Sequence, residues 1–596
     1  MTTEPARGWQ LVYDGDCGFC NWCVDYARVV TRNERGADSR SITYRAYQDA
    51  AADHPDVPLD RFRASIQLFT PDGRFEGAKA TFMVLAVVPR LAGWHWLYRY
   101  LPGFAALTEL AYRCVARHRD LVFRLARSVV GRELLPLGYT RTAGVIVRGV
   151  GWCALVAFVS FGWQANALIG TEGILPVGDY FAALSSALGP SGVLEAPAFY
   201  WLHASDETTW ALVGAGAAAS LALIARRFVV PAALVAYAAY LSLFYAGRVF
   251  MAFQWDLLLV EALFAVAVLG WRERTGIWVL RLLAFRFMLM SGAVKLLSGD
   301  PTWSGLTALD FHFQTQPLPT VVAWYAHALP ASVHAAGTFL TLAIELVLPI
   351  FVFAPRRLRC FAATMFLLLE LVILVTGNYN FFNVLTMLVC VALLDDRRLR
   401  GARFPGAERE FRRTPPRVAL GGFVLLTALQ LHVVFGRVSS AEAIALSALE
   451  PWQIVNRYGL FAVMTQERRE LVIEWSRDGA TWNEVELPFK PGALEAMPRW
   501  AAPYQPRLDW QMWFAALGPP EASPWMEPLL ARLLLGSDNV RRLFAEPPPS
   551  DATELRVRSY RYRFTTAEER AATGNWWQRS DATEWLPPLR LVRSPP

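Results

Sequence analysis

The sequence predicts a mixed fold, in which an N-terminal α/β domain precedes a polytopic α-helical membrane bundle of about nine spans and a C-terminal β-rich domain. The first indication is composition: 54% of the 596 residues are apolar and 18% are charged, whereas soluble globular chains average about 45–50% and about 25%. The second indication is position, because the apolar excess lies in the middle of the chain. The third is pattern, since short strand and helix patterns occupy the N-terminal part and alternating apolar residues occupy the C-terminal part.

The N-terminal domain, residues 1–135, combines strand patterns with helix patterns. Strands are expected at 9–14, 41–46 and 65–70, and helices are expected from about Gly18, at 78–88 and at 104–129. The sequence Pro71-Asp72-Gly73 predicts a turn after the third strand. Strands that alternate with helices predict a small α/β domain.

The membrane domain, residues 143–436, consists of apolar runs that approach the ~20 residues needed to cross a bilayer. Nine spans are expected, at 145–163, 208–225, 228–246, 252–270, 277–297, 335–353, 359–376, 380–394 and 417–436. The first run contains Arg148 and the eighth is short, so one or two of these segments can instead be re-entrant or buried.

Basic residues predict the orientation of these spans. Lys and Arg are absent from 164–225 and from 298–355, and they cluster at Arg226-Arg227, at Arg272 with Arg274, at Arg356 to Arg359 and at Arg397 to Arg413. A cytoplasmic N-terminus and nine crossings place every cluster in the cytoplasm, as the positive-inside rule requires.

The net charge of +7 is thus explained by topology, and no nucleic-acid partner is expected. No apolar signal-peptide segment precedes the first domain, which favours the same orientation.

The C-terminal domain, residues 437–596, is then expected outside the cytoplasm. Leu471–Trp475 and Trp482–Leu487 alternate around Arg477-Asp478-Gly479, which predicts a β-hairpin. Residues 554–564 alternate again and predict a further strand.

A two-cysteine motif, Asp14-Gly15-Asp16-Cys17-Gly18-Phe19-Cys20, follows the first predicted strand. Two cysteines three residues apart at a helix start can form a reducible disulfide, and the helix N-terminus favours the thiolate of the first. Cys23 extends the spacing and leaves a metal site as an alternative, although no second cysteine pair or nearby His completes one. Structural cysteines are the third interpretation. Cys114 is expected to be a buried thiol.

This segment resembles the DCC family of thiol–disulphide oxidoreductase domains, which are thioredoxin-like, and Leu101-Pro102-Gly103 through Tyr112-Arg113 resembles the later half of that family. The resemblance covers about residues 9–130. It implies a redox motif with Cys17 as the attacking thiol and Cys20 as the resolving thiol, flanked by Asp14 and Asp16, and a cytoplasmic thiol reductant as a partner.

Ionisable residues within the predicted spans need partners, because a charge in the bilayer core costs about 2.5–3.5 kcal/mol. They are Asp256, Glu261, Arg286, Lys295, Glu345 and Glu370. One interpretation is that ion pairs among them hold the bundle together. The other is a polar cavity in which Lys295 serves as a base, with His312, His327 and His334 nearby.

Several longer strings resemble the lipase maturation factor family over about residues 145–580. They are Gly173 to Pro176, Phe253 to Glu261, Ser291 to Leu296, Asp300 to Trp303, Gln314 to Pro319, Asn456 to Phe461, Pro488 to Gly492 and Pro506 to Ala515. The resemblance implies a membrane-embedded maturation factor whose clients are secreted lipases or other exported enzymes. The vertebrate members lie in the endoplasmic reticulum membrane. The fusion to a DCC domain and the absence of an organelle-retention signal favour a bacterial inner-membrane version.

The middle of the chain more distantly resembles the membrane domain of vitamin K-dependent carboxylase, in which a lysine after a Gly-Val pair is the base. Lys295, after Ala293-Val294, matches that position. This implies an alternative function, an enzyme acting on a lipid-soluble substrate within the bilayer. A thiol–disulphide oxidoreductase that acts on cytoplasmic partners is the other alternative.

The string Pro506 to Ala515 supplies further candidate binding residues. Arg507 and Asp509 can pair within a packed turn, and Trp510 and Trp513 can either pack or form an exposed client-binding patch. Asp256, Glu261 and Arg286 are the candidates within the bundle. No cofactor and no metal ion is expected.

Overall fold

The computed structural model describes residues 8–32, 42–88, 91–130, 138–396, 417–436 and 439–591. The chain divides into two compact units. The first contains the N-terminal residues through Gly138 together with Ala354–Leu358, and the second contains nearly all of the remaining chain.

The first unit is an α/β domain around one four-stranded sheet of order β2-β1-β3-β4. Strands β1 and β2 are parallel, whereas β3 is antiparallel to both β1 and β4. Its elements are β1 (Trp9–Tyr13), α1 (Gly18–Arg32), β2 (Ile42–Ala46), α2 (Tyr47–Ala50), α3 (Leu59–Ala64), β3 (Gln67–Thr70), β4 (Gly73–Glu76), α4 (Gly77–Ala86), α5 (Ala92–Tyr100), α6 (Phe104–Arg117) and α7 (Arg119–Val130).

Alternate residues of β1 supply two small cores on opposite faces of this sheet. Leu11 packs with Leu68 and Val84 on one face, and Val12 packs with Phe62 on the other. The three expected strands are present within one or two residues of the predicted bounds, and position 41 lies outside the described residues. The expected helix at 104–129 is two helices, because the chain turns at His118.

The second unit begins with a helical bundle. Its helices are α8 (Thr140–Leu168), α9 (Val177–Leu188), α10 (Gly192–Glu195), α11 (Asp206–Ile224), α12 (Val229–Gly247), α13 (Gln254–Trp271), α14 (Glu273–Leu297), α15 (Pro301–Ser304), α16 (Ala308–Thr315), α17 (Val321–His327), α18 (Ala331–Leu346), α19 (Arg356–Thr376), α20 (Phe381–Val391) and α21 (Arg417–Phe435).

Among the described residues, six helices are long and apolar enough to cross a membrane, namely α8, α11, α12, α13, α14 and α19. The bent pair α17 and α18, whose axes differ by 111°, would make a seventh span. The expected count of nine is not confirmed. The run expected at 335–353 belongs to that bent pair, the run at 380–394 forms only the short helix α20, and the run at 417–436 forms α21, whose apolar part is also short.

The C-terminal region carries a four-stranded antiparallel sheet of order β6-β5-β7-β8. Its elements are α22 (Ser440–Leu449), β5 (Arg468–Ser476), β6 (Asn483–Val485), α23 (Arg507–Ala515), α24 (Met526–Leu534), α25 (Asp538–Arg541), β7 (Glu554–Phe564), α26 (Ala567–Thr573) and β8 (Trp577–Arg590). The predicted hairpin and the strand at 554–564 are present, whereas β8 and the helices were not predicted.

The C-terminal region and the helical bundle share one continuous apolar core. Phe158 and Leu263 of the bundle belong to the same cluster of buried side chains as Leu508 and Leu529 of the C-terminal region. Burial of apolar surface is the main favourable term in folding, so the two parts stabilise each other.

Candidate functional site

The two-cysteine motif lies between the end of β1 and the first turn of α1, as the sequence predicts. Gly15 is required there, because a Cβ atom at this position would lie 2.7 Å from the Cβ atom of Ala46 on β2. The backbone N–H of Cys20 donates to Cys17 Sγ at 3.4 Å, and the N–H of Asp16 donates to Asp14 Oδ1 at 3.1 Å. The first cysteine therefore faces the N-terminus of a helix, where a negative charge is stabilised.

Arg119, at the start of α7, completes this site and was not predicted. Its guanidinium lies 3.5 Å from Asp14 Oδ2 and 4.0 Å from Cys20 Sγ, and it also donates to the carbonyl oxygens of Arg63 and Ala64. Arg119 lies 99 positions after Cys20 in the sequence, so no local spacing could identify it. The side chain of Asp16 is exposed.

An apolar cavity of about 550 Å³ adjoins the dithiol. Cys20 and Cys23 line it together with Trp22, Phe82 and Tyr112. A cavity of this size and character can hold an apolar group of a partner next to Cys20.

The other cysteine interpretations have different outcomes. Within the part of the chain that the structure describes, no three His, Cys, Asp or Glu side chains are grouped to hold a metal ion. Cys114 is exposed on α6. The expectation of a buried thiol there is wrong, because α6 of this small domain has no fully buried residue.

The two cysteines are expected to differ in their reaction with iodoacetamide. Burial, and then the hydrogen bond and charge of Cys17, raise the pKa of Cys20 to about 12. Cys20 therefore stays protonated at pH 8, and the thiol form reacts far more slowly than a thiolate. Timed alkylation of the reduced protein followed by mass spectrometry should find Cys17 modified well before Cys20. Equal rates for both would contradict this assignment of roles.

In the second unit, Asp256 of α13 pairs with Arg507 at the start of α23. The pair is bidentate, with Nη1–Oδ2 and Nη2–Oδ1 distances of 3.0 and 2.8 Å, and both side chains are fully buried. Tyr240 donates to Asp256 at 2.6 Å, and Arg507 also donates to the carbonyl oxygen of Phe250. The expected pairing of Arg507 with Asp509 is therefore wrong. The acid within the bundle selects the arginine, because an unpaired carboxylate there would be far more costly.

A second buried pair joins Glu261 of α13 to Arg286 of α14, and both side chains are almost completely inaccessible. The C-terminal region again takes part. Glu261 accepts from the backbone N–H of Asn456 at 3.0 Å and from the hydroxyl of Tyr458 at 2.9 Å, and Arg286 donates to the carbonyl oxygen of Asn456 at 2.8 Å. Tyr240, Asn456 and Tyr458 were not predicted as site residues, although unpaired acids in predicted spans indicated that partners must exist.

The candidate binding residues of α23 are all buried. Trp510 and Trp513 are only 3% and 8% exposed, so these side chains do not form an exposed patch. Asp509 is fully enclosed and accepts from the backbone N–H groups of Phe489 and Lys490 at 2.8 and 2.9 Å. Burial raises the pKa of Asp509 to about 6. The segment is a packed connection between the sheet and the bundle.

Lys295 of α14 donates to both carboxylate oxygens of Glu345 on α18, at 2.7 and 3.0 Å, and to the carbonyl oxygen of Ser291. Gly292 permits this close approach of the helices, because a Cβ atom there would lie 2.8 Å from the Cβ atom of Glu345. The remaining carboxyl group, Glu370, accepts from Asn383 at 2.7 Å. These contacts agree with the ion-pair interpretation of the buried charges.

Of the three predicted histidines, only His312 lies with Lys295 on the wall of one cavity. His334 instead contacts Asp310 at 2.9 Å and the carbonyl oxygen of Ala326. The ring of His327 lies near that of Phe564, with centroids 5.8 Å apart and planes tilted by 51°. The base function of Lys295 stays a prediction.

Replacing Lys295 by methionine separates the two interpretations. If the residue is one half of a structural pair, Lys295→Met leaves Glu345 buried without its cation and should destabilise the protein by about 3–5 kcal/mol. Adding Glu345→Leu should recover most of that loss. Thermal unfolding of the purified protein measures both effects. Unchanged stability of Lys295→Met together with complete loss of function would instead favour the interpretation of Lys295 as a catalytic base.

These features define a class: a multi-helix membrane protein whose bundle is fixed to a strand-rich C-terminal region by buried charges, and which carries a separate α/β unit with a dithiol. The chain is 33% identical to lipase maturation factor 2 of Gallus gallus, over 76% of this chain and 82% of that protein. It is 32% identical to lipase maturation factor 2 of Homo sapiens and 31% identical to lipase maturation factor 1 of Mus musculus, over 75% of this chain and 82% and 87% of those proteins. The chain therefore belongs to the lipase maturation factor family.

Three family models match successive parts of the chain. Residues 11–125 match the DCC1-like thiol-disulfide oxidoreductase, 141–401 the lipase maturation factor transmembrane domain and 454–587 the lipase maturation factor C-terminal domain. Family membership and the apolar helices together make this an integral multi-pass membrane protein. No solved structure matches the chain.

Proposed function

We propose that this protein is a membrane-embedded maturation factor for exported enzymes, with lipases as its principal clients. The observation that supports the proposal most strongly is the similarity to proteins named lipase maturation factor over about three quarters of the chain. Separate family models of lipase maturation factors match the bundle and the C-terminal region of this chain, and both parts lie in one structural unit.

We further propose a cytoplasmic N-terminal domain and a C-terminal region on the outer side of a bacterial inner membrane. The absence of Lys and Arg from 164–225 and 298–355 supports this orientation. Clients would then meet the outer loops and the C-terminal region. Because Arg507, Trp510 and Trp513 are buried, their contribution would be to hold that region in place. Exposed apolar side chains such as Met497 and Trp500 are better suited to touch a client.

The N-terminal domain is proposed to be a thioredoxin-like oxidoreductase acting on cytoplasmic partners. The parallel β1 and β2 with the β3–β4 hairpin, and the position of the dithiol at the start of α1, support this fold and role. The Cys17 thiolate would attack a partner disulfide, and one partner thiolate would leave. Cys20 would then lose its proton and attack Cys17 Sγ, which releases the second partner thiol. The partner is reduced, Cys17 and Cys20 become a disulfide, and a cytoplasmic thiol reductant restores them.

Deletion of the gene in its own host tests the maturation proposal. The activity of an exported lipase per unit of lipase protein should fall in the deletion strain, because lipase that is made without its factor would not reach the active fold. Wild-type protein supplied in trans should restore it. Unchanged specific activity of all exported lipases would contradict the proposal. Complementation by Cys17→Ser shows whether the dithiol participates, since rescue by both versions would make it dispensable for maturation.

A further inference from the structure

We propose that the cavity between the bundle and the C-terminal region binds one neutral acyl-ester lipid of the acylglycerol class. The cavity has a volume of about 510 Å³, which is within the range of about 300–1,000 Å³ found for small-molecule sites. Helices α14, α18, α19 and α20 contribute to its wall, and residues 459–465 and α23 close it from the C-terminal side. The inference does not depend on the identity of the client.

Most of the cavity wall can hold an alkyl chain. Phe253, Phe287, Leu369, Ile373 and Phe461 are among the apolar side chains that line it. Apolar surface of this kind favours an apolar ligand, since removing both from water is favourable.

The mouth of the cavity is also apolar. Val372, Val463 and Leu517 line the cavity and are 58%, 67% and 50% exposed. Val372 lies on α19, which is a candidate membrane span. A ligand can therefore enter from an apolar phase, as a lipid would, without its chain crossing water.

Four buried polar atoms of the lining residues have no hydrogen-bond partner within the described part of the protein. They are Trp255 Nε1, Trp510 Nε1, Ser291 Oγ and Asn383 Oδ1. Each residue is at most 4% exposed, and the two indole rings are adjacent, with centroids 4.6 Å apart. Buried polar atoms in native proteins are normally paired, because an unpaired one costs about 1–3 kcal/mol. Four of them beside one cavity indicate that a ligand supplies the partners.

The types of these atoms specify the polar end of the ligand. Indole N–H groups can only donate, so Trp255 and Trp510 require acceptor oxygen atoms, such as those of an ester. The amide oxygen of Asn383 requires a donor such as a hydroxyl group, and the hydroxyl of Ser291 can donate or accept. A glycerol ester with a free hydroxyl group offers this combination.

The charges of the lining residues favour a neutral ligand over a fatty acid or a phospholipid. Lys295, the lysine of the cavity wall, is paired with Glu345, and Glu370 adds a further carboxyl group. Burial, and then the charge of Lys295, lower the pKa of His312 to about 4, so this imidazole is neutral at physiological pH. No lining cation among the described residues remains to pair with a carboxylate or phosphate group, and such a group would be buried unpaired at high cost.

The test uses the full-length protein in phosphatidylcholine nanodiscs and a monoacylglycerol that carries a photoreactive diazirine in its acyl chain. After irradiation, mass spectrometry of the peptides should place the label on cavity residues such as Phe287 and Ile373. Unlabelled monoacylglycerol in excess should abolish this labelling, and palmitate at the same concentration should not.

Matched variants connect the labelling with the cavity. Ile373→Trp fills the cavity and should reduce labelling by about tenfold or more, whereas Leu371→Trp, on the exposed side of the same helix, should leave it unchanged. Trp255→Phe keeps an aromatic side chain but removes the indole N–H donor, and should weaken binding by about fivefold. Label that is spread over exposed residues of the bundle and insensitive to Ile373→Trp would overturn the site. Equal competition by palmitate would overturn the assignment of a neutral ligand.

Discussion

Arg507→Leu is expected to destabilise the second unit by about 3–5 kcal/mol, because it leaves the fully buried Asp256 without its cation. The remaining hydroxyl of Tyr240 cannot neutralise that carboxylate. The loss should lower the thermal unfolding midpoint of the purified protein and expose the C-terminal region to limited proteolysis.

Two further variants show whether the buried pair is the cause. Arg477 pairs with Asp551 in the same region, but both side chains are more than half exposed, so Arg477→Ala should cost less than about 1 kcal/mol. The double variant Asp256→Leu with Arg507→Leu should recover much of the lost stability, because a buried ion pair can often be replaced by apolar residues. Equal stability of Arg507→Leu and Arg477→Ala would contradict the assignment.

Cys17→Ser is expected to abolish completely the thiol–disulfide exchange activity that we propose for the N-terminal domain, because serine cannot form the mixed disulfide with which the reaction begins. Cys20→Ser should behave differently. It keeps the attacking thiol and should accumulate a mixed disulfide that cannot be resolved. Both variants are incubated with a disulfide-bonded model peptide and analysed by electrophoresis without reductant. A protein–peptide adduct should appear for Cys20→Ser and not for Cys17→Ser.

Cys23→Ser is the matched control for this pair. Cys23 lies on α1 and lines the same cavity as Cys20, but it is not part of the proposed exchange. Its replacement should leave the exchange rate within about twofold of wild type. Activity retained by Cys17→Ser, or a stable adduct on Cys17→Ser and none on Cys20→Ser, would reverse or refute the assigned roles.

Features that depend on local chemistry could be predicted from the sequence. The β5–β6 hairpin follows from alternation around the Arg477-Asp478-Gly479 turn, and the dithiol at the start of α1 follows from its spacing after a strand. The prediction failed for β8, which contains two prolines and several charged residues. This strand lies at the edge of its sheet, where proline is tolerated.

Features that depend on pairing over long distances could not be predicted. Arg507 pairs with Asp256, which lies 251 residues away in the sequence. The sequence alone favoured Asp509 as its partner, because that acid is only two residues away. The predicted count of about nine spans is not confirmed, for a related reason. Hydropathy detects apolar composition, but it does not register the 111° bend between α17 and α18 or the early end of α20.

The central claim is that the bundle and the C-terminal region, fixed together by buried charges, form one unit that matures exported enzymes. Its most direct test is the specific activity of an exported lipase in the deletion strain that carries Arg507→Leu or Arg477→Ala at equal membrane levels. The account predicts that Arg477→Ala restores the wild-type value and that Arg507→Leu does not. Full restoration by an Arg507→Leu protein of confirmed lower stability would contradict it.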